Sequence, residues 1–160
     1  MTVMTLSELP YRLCVGIMLI NASRNVFVGQ RKDRFQKAWQ MPQGGIESGE
    51  HPYDAALREL HEETGIRSKL IKKMAETSNW IRYDLPLDLV GNIWAGKYKG
   101  QEQKWFLFKF LGADSDININ SVSPEFSSWR WQSPNQLVEE IVPFKRDVYQ
   151  QVLKEFKLYF

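Results

Sequence analysis

Between residues 44 and 66 the sequence reads GGIESGEHPYDAALRELHEETGI, with carboxylates at Glu50, Glu59, Glu62 and Glu63 and an arginine at Arg58. On a helix that turns ~100° per residue, Glu59, Glu62 and Glu63 fall on one face because they stand i, i+3 and i+4. Like charges at that spacing repel by about 0.2–0.5 kcal/mol per pair. Arg58 reaches Glu62 at i+4 but cannot neutralise all three, so the face calls for water or a cation. A hard divalent cation such as Mg2+ prefers carboxylate oxygens, keeps some of its waters and is shared with substrate phosphates. Glu50 is expected to enter such a site from the helix start, where the dipole favours an anion. Gly44 and Gly45 are expected to let backbone N–H groups approach phosphate oxygens with no Cβ in the way.

The helix that must carry these carboxylates has its own boundaries. Pro52 suits a first turn, where its missing N–H is not needed, and Gly65 suits the left-handed residue that ends a helix. Tyr53, Ala56, Leu57 and Leu60 gather on another side and form its packing face. Upstream, the apolar run 11–20 reads as a buried strand, 21–25 as a polar turn and 26–31 as the next strand of a hairpin. Residues 34–37 read as a loop, and 39–42 lead directly into the glycine pair. Downstream, 70–83 holds strand-like pieces broken at Ser78 and Asn79. The segment 84–100, with Pro86, Gly91, Gly96 and Gly100, reads as a long loop carrying specificity. QEQKWFLFKFL at 101–111 is the strongest strand signal of the second half, buried on both sides, with Lys104 at its start able to point at phosphate. Residues 114–123 form a polar connector, 125–131 a strand that begins with a carboxylate, and Ser133 and Pro134 open a short helix. Phe144, Val148, Val152 and Phe156 recur at helical spacing, so a C-terminal helix packs on the sheet. Strands on both sides of one helix, closed by another, imply an α/β layered domain.

Composition is consistent with one globular domain over 1–160. Hydrophobic residues make up 43% of the chain and aromatics 13%, enough for a substantial core and against disorder. The 21 basic and 19 acidic residues leave a net charge of +2, so no general polyanion-binding surface is implied and any nucleic-acid contact is confined to a site. The single cysteine, Cys14, lies in the apolar run LCVGIMLI and reads as core. No stretch approaches the ~18 apolar residues of a membrane span, and the N-terminus lacks the apolar core of a secretory signal. A cytoplasmic protein with no membrane association is the expectation, and the residues single out no protein partner.

The pattern G-x5-E-x7-R-E-U-x-E-E-x-G-U, with U aliphatic, is met at every fixed position by Gly44, Glu50, Arg58, Glu59, Leu60, Glu62, Glu63, Gly65 and Ile66. This resembles the Nudix box of hydrolases that act on nucleoside diphosphates linked to another group. The likeness extends over roughly 11–156. YR at 11–12, WQMPQGG at 39–45, NWIRYDLP at 79–86, GQEQKWFL at 100–107, PEFSSWRW at 124–131 and FKRDVY at 144–149 look like the bacterial RNA pyrophosphohydrolases and the related dinucleoside polyphosphate hydrolases.

The resemblance implies an α/β/α sandwich with a mixed β-sheet, the box forming a loop, helix, loop catalytic unit at one end of it. It implies a divalent metal, Mg2+ foremost with Mn2+ or Zn2+ as the other candidates. Glu59, Glu62 and Glu63 match the metal-binding carboxylates, Arg58 the arginine that orients them, and Glu125 a distal carboxylate that approaches the metals or acts as base. Arg12 and Lys145 match positions near the polyphosphate, and Arg31 and Phe144 a pair that stacks on a base. The activity implied is removal of pyrophosphate from 5′-triphosphorylated RNA, a step of mRNA decay, or hydrolysis of dinucleoside polyphosphates such as diadenosine tetraphosphate. Glu63 and Glu125 both remain candidates for the general base. A catalytically silent sensor of the same fold is disfavoured because all three box glutamates are present.

Overall fold

The protein is described here from a computed structural model covering residues 5–33, 35 and 37–160. Of the loop expected at 34–37, Arg34 and Gln36 lie outside the described residues.

Two long strands form the axis of the sheet, and residues 14–20 of the first and 105–108 of the second are apolar and buried on both faces. The strands β1 (Tyr11–Ile20) and β7 (Gly100–Phe110) run parallel in register from Tyr11 opposite Gly100 to Ile20 opposite Lys109. Near-continuous apolar runs of this kind fit strands covered on both faces. Each has two antiparallel neighbours on its outer edge, one for each half. Beside β1, the strand β4 (Gln43–Gly45) pairs with Cys14–Gly16, and β2 (Val26–Arg31) joins only at the hairpin end, Ile20 opposite Val26. Beside β7, the strand β6 (Ile81–Asp84) flanks Gly100–Gln103 and β5 (Ile71–Glu76) flanks Phe106–Phe110. Then β2 carries β3 (Trp39–Gln40) and β8 (Phe126–Gln132), both antiparallel. The sheet is therefore mixed, and β4 and β6 flank the same half of its central pair.

Alternation along β1 and β7 sorts the core into two layers. Val15, Ile17, Leu19, Phe106 and Phe108 meet Ala55, Ala56 and Leu60 of α1 (Pro52–Thr64). Met18, Ile20, Trp105 and Leu107 meet Leu137 of α2 (Leu137–Glu140) and Val148, Tyr149 and Val152 of α3 (Arg146–Glu155). The α/β/α sandwich is thus present. Within α1, Pro52 stands in the first turn, the His51 side chain accepts from the Tyr53 N–H, and Gly65 closes the helix at φ 72° with its N–H on His61 O.

Three expectations change. The glycine pair sits in the strand β4, not in a loop: Ile46 N–H donates to Leu13 O, and alternation along the antiparallel ladder then commits the Gly44 N–H to β1 and directs that of Gly45 away. Phe144 does not begin the apolar stripe of α3 but lies in the 3-10 turn Pro143–Lys145 that precedes it. Leu85 to Lys99 is mostly irregular, as expected, but includes the 3-10 turn Trp94–Gly96, which enters the site described next.

Candidate active site

A cavity of about 380 Å³ opens in the half of the sheet flanked by β4 and β6. Arg12, Arg31, Gly44, Gly45, Glu59, Glu62, Glu63, Glu125, Phe144 and Lys145 all line it. Residues far apart in sequence arrive there from β1, β2, β4, α1, the start of β8 and the turn before α3.

The glycines act through what they leave out. A Cβ on Gly44 would lie 2.0 Å from the carboxyl carbon of Glu59, and one on Gly45 would lie 2.4 Å from a terminal nitrogen of Arg12. The pair therefore lets a carboxylate and a guanidinium cross over β4 at contact distance, a different use of the missing Cβ from a backbone cradle for phosphate.

Arg58 is the clamp behind the carboxylates. Its Nε donates to Glu50 Oε2 and its Nη2 to Glu50 Oε1, both at 2.9 Å, and Nη2 also reaches Gly45 O at 2.8 Å. Its Nη1 donates to Glu59 Oε1 at 2.9 Å and lies 3.4 Å from Glu62. Glu50 thus does not enter the cavity as expected; it anchors Arg58, whose fork, with the Glu47 N–H, holds its carboxyl down at about 2. Arg58 in turn stands beside the cavity and not on its wall.

The remaining glutamates are under electrostatic load. Burial carries Glu59 up to about 7 against the lowering effect of Arg58. Glu63 is 6% exposed, and burial, then Glu59, Glu125 and Glu62, raise it well above the ordinary carboxylate range. The Gln43 backbone N–H lowers it in part, and Glu63 Oε2 has no hydrogen-bond partner among the described residues. Glu62 and Glu125 are exposed beside it. Among the described residues no three acidic, histidine or cysteine side chains already converge on one cation-sized point. The donor set nevertheless fits a divalent cation: hard oxygen ligands on one wall, one of them buried and orphaned, in a cluster whose self-repulsion a positive ion would relieve.

The same cavity also carries a cationic and aromatic lining. Lys145 is 4% exposed and pushed down to about 7 by burial and by Arg31, and its Nζ donates to Gln40 Oε1 at 3.1 Å. The same oxygen accepts from Arg31 Nη1 at 3.3 Å. Arg31 also pairs with Asp33 and stacks over Phe35, 4.8 Å from the ring centroid. Phe144 packs edge-on against Phe35 and tilted against Tyr83, so the aromatic in contact with Arg31 is Phe35. Lys104 stands apart: it is absent from the cavity wall, and its Nζ lies 3.6 Å from Glu76. Gln40, Gln43, Gln101, Asp33, Phe35, Tyr83 and Trp94 also line the cavity, and no local spacing in the sequence marks them for it.

A mixed sheet between two helical layers, with an acidic helix and an arginine clamp at one end, is the architecture of the Nudix hydrolases, and the chain belongs to that family: the NUDIX domain model matches residues 10–152. Among curated relatives, the chain is 60% identical over 157 residues to an RNA pyrophosphohydrolase of Roseobacter denitrificans and 56% identical over 156 residues to that of Dinoroseobacter shibae, each time over 98% of both chains. Among solved structures, the E. coli dihydroneopterin triphosphate pyrophosphohydrolase shares the fold with a TM-score of 0.67 at 18% identity, over 89% of this chain and 96% of that one. No helix among the described residues is long and apolar enough to cross a membrane.

Proposed function

We propose that this chain removes pyrophosphate from the 5′-triphosphate end of RNA, leaving a 5′-monophosphate, and that it does so as one domain in the cytoplasm. The observation that carries the reading is one cavity that joins a carboxylate wall to three cations, Arg12, Arg31 and Lys145, in a chain akin over its whole length to RNA pyrophosphohydrolases. A triphosphate brings several negative charges, and the two walls divide the work of receiving them.

Glu59, Glu62, Glu63 and Glu125 would hold divalent cations, Mg2+ foremost, which when bound supply charge neutralisation and polarise phosphoryl oxygens. Arg12, Arg31 and Lys145 bind the phosphate oxygens directly, and the burial of Lys145 strengthens that contact once an anion is present. Phe144 and Phe35 offer ring faces for a base, with Arg31 alongside. The attacking water gives its proton to Glu63 or Glu125, both of which line the cavity. Little covalent work falls to the protein, so positioning and charge account for most of the acceleration.

Incubation of the protein and Mg2+ with 5′-triphosphorylated RNA and, separately, with diadenosine tetraphosphate at matched concentration tests this. Release of pyrophosphate or phosphate with a 5′-monophosphorylated RNA, faster than cleavage of the dinucleotide, is expected. Unaltered RNA beside a cleaved dinucleotide would replace the reading with dinucleoside polyphosphate hydrolysis.

A further inference from the structure

Four side chains link the floor of the sheet to the cavity, and their hydrogen bonds leave each amide one orientation. Trp105 is fully buried, and its indole N–H, a donor and never an acceptor, points at Gln103 from the same face of β7 at 2.9 Å. The atom of Gln103 it meets must therefore be the amide oxygen. That turns the Gln103 NH2 the other way, where its two N–H groups reach Gln101 Oε1 at 2.7 Å and Gln43 Oε1 at 3.0 Å. Reversing any one amide would set donor against donor or acceptor against acceptor at these distances.

The consequence falls on the cavity. Gln43 and Gln101 line it and Gln103 does not. With both their oxygens held by Gln103, the NH2 groups of Gln43 and Gln101 are what remains for a ligand, and among the described residues neither nitrogen donates to another side chain or to backbone. Gln43 is half-buried and Gln101 only 1% exposed, yet both line the cavity and neither nitrogen is among the fully buried atoms left without a partner.

Resting on the polyphosphate reading of this cavity, we propose that Gln43 and Gln101 are substrate-binding residues that present neutral N–H donors to polyphosphate oxygens. Gln103 and Trp105 act behind them as positioning residues. Neutral donors complement Arg12, Arg31 and Lys145: they select for oxygen acceptors without adding cationic charge where the cations of the carboxylate wall must also fit.

Gln101→Met keeps the length of the side chain and removes the donor; it is expected to raise KM for triphosphorylated RNA about tenfold with kcat nearly unchanged. Gln103→Glu, assayed at pH 8, accepts from Trp105 and draws the Gln43 and Gln101 NH2 groups inward, so both residues turn oxygens to the cavity and KM rises by about tenfold or more. In that background Gln101→Met is expected to cause no further rise, because the donor it deletes has already turned away. A fully additive effect, or an unchanged KM in Gln101→Met alone, overturns the proposal; the single variant decides even if Gln103→Glu fails to fold. Calorimetric titration with inorganic tripolyphosphate separates this from the RNA reading. Weaker binding by Gln101→Met supports the donor role even if the wild type leaves RNA intact, and equal binding by wild type and variant refutes it.

Discussion

Glu63→Gln is expected to lower kcat by about a thousandfold, the scale of losing a general base or a principal cation ligand, while the metal-free protein becomes more stable. The two effects share one cause. Glu63 is buried, one of its oxygens has no hydrogen-bond partner among the described residues, and three other carboxylates press on it, so without a cation its charge is a burden on the fold. The amide removes the charge and leaves the shape. The pH dependence has a definite sign. Because the folded-state pKa values of Glu63 and Glu59 are raised, the folded chain holds protons that the unfolded chain has already released, and stability falls as pH rises above the unfolded carboxylate value. For Glu59, carried from 4.5 to about 7, the ionised form costs the fold roughly 3 kcal/mol above that window. In chelator, the thermal midpoint of the variant is therefore expected to exceed that of the wild type at pH 7.5 and to match it near pH 4. Near-normal turnover, or a variant that melts lower at pH 7.5, would refute the assignment.

Arg58→Ala is expected to reduce both activity and stability, because Arg58 holds carboxylates and a backbone carbonyl from outside the cavity wall. Its loss strands a Glu50 carboxylate that two guanidinium bonds hold, removes the bond to Gly45 O and frees Glu59 to leave its place over Gly44. The side chain is 25% exposed, so the cost sits below that of a fully buried pair, at about 2–3 kcal/mol. Turnover is expected to fall about 10- to 100-fold, the usual effect of removing a group that orients metal ligands. Arg58→Lys keeps the charge without the fork and is expected to recover stability in part and activity poorly. Wild-type kcat in Arg58→Ala would show that the carboxylates hold their places without the clamp.

Much of this was legible in the sequence for physical reasons that differ by element. The ends of α1 are written in Pro52 and Gly65, and the double-faced burial of β1 and β7 in the apolar stretches 13–20 and 105–108. The common placement of Glu59, Glu62 and Glu63 on one cavity wall could be read because helical spacing is local. The short strands β3 and β4 could not be, since a glycine pair shortly after a proline signals a turn, and only pairing with β2 and β1 respectively makes them strands. The destination of Glu50 was hidden too: a carboxylate at a helix start suits a metal and suits an arginine, and only the fold shows which is nearer. Lys104 on β7 takes Glu76 of β5 as its neighbour, a pairing set by strand register and invisible in the sequence. The glutamines left one usable trace, since Gln101 and Gln103 alternate on one strand face, where buried amides in an apolar strand signal a network.

Calorimetric titration of Mn2+ or Mg2+ into the wild type and into a Glu59→Gln, Glu63→Gln double variant, in buffers of different ionisation enthalpy at pH 7, addresses most directly whether this acidic wall exists to hold cations. Wild type is expected to bind the ion and release protons as it does so, since carboxyls raised by burial must shed them to coordinate, and the double variant is expected to show neither. Equal affinity in both proteins, with no proton released by either, would contradict it.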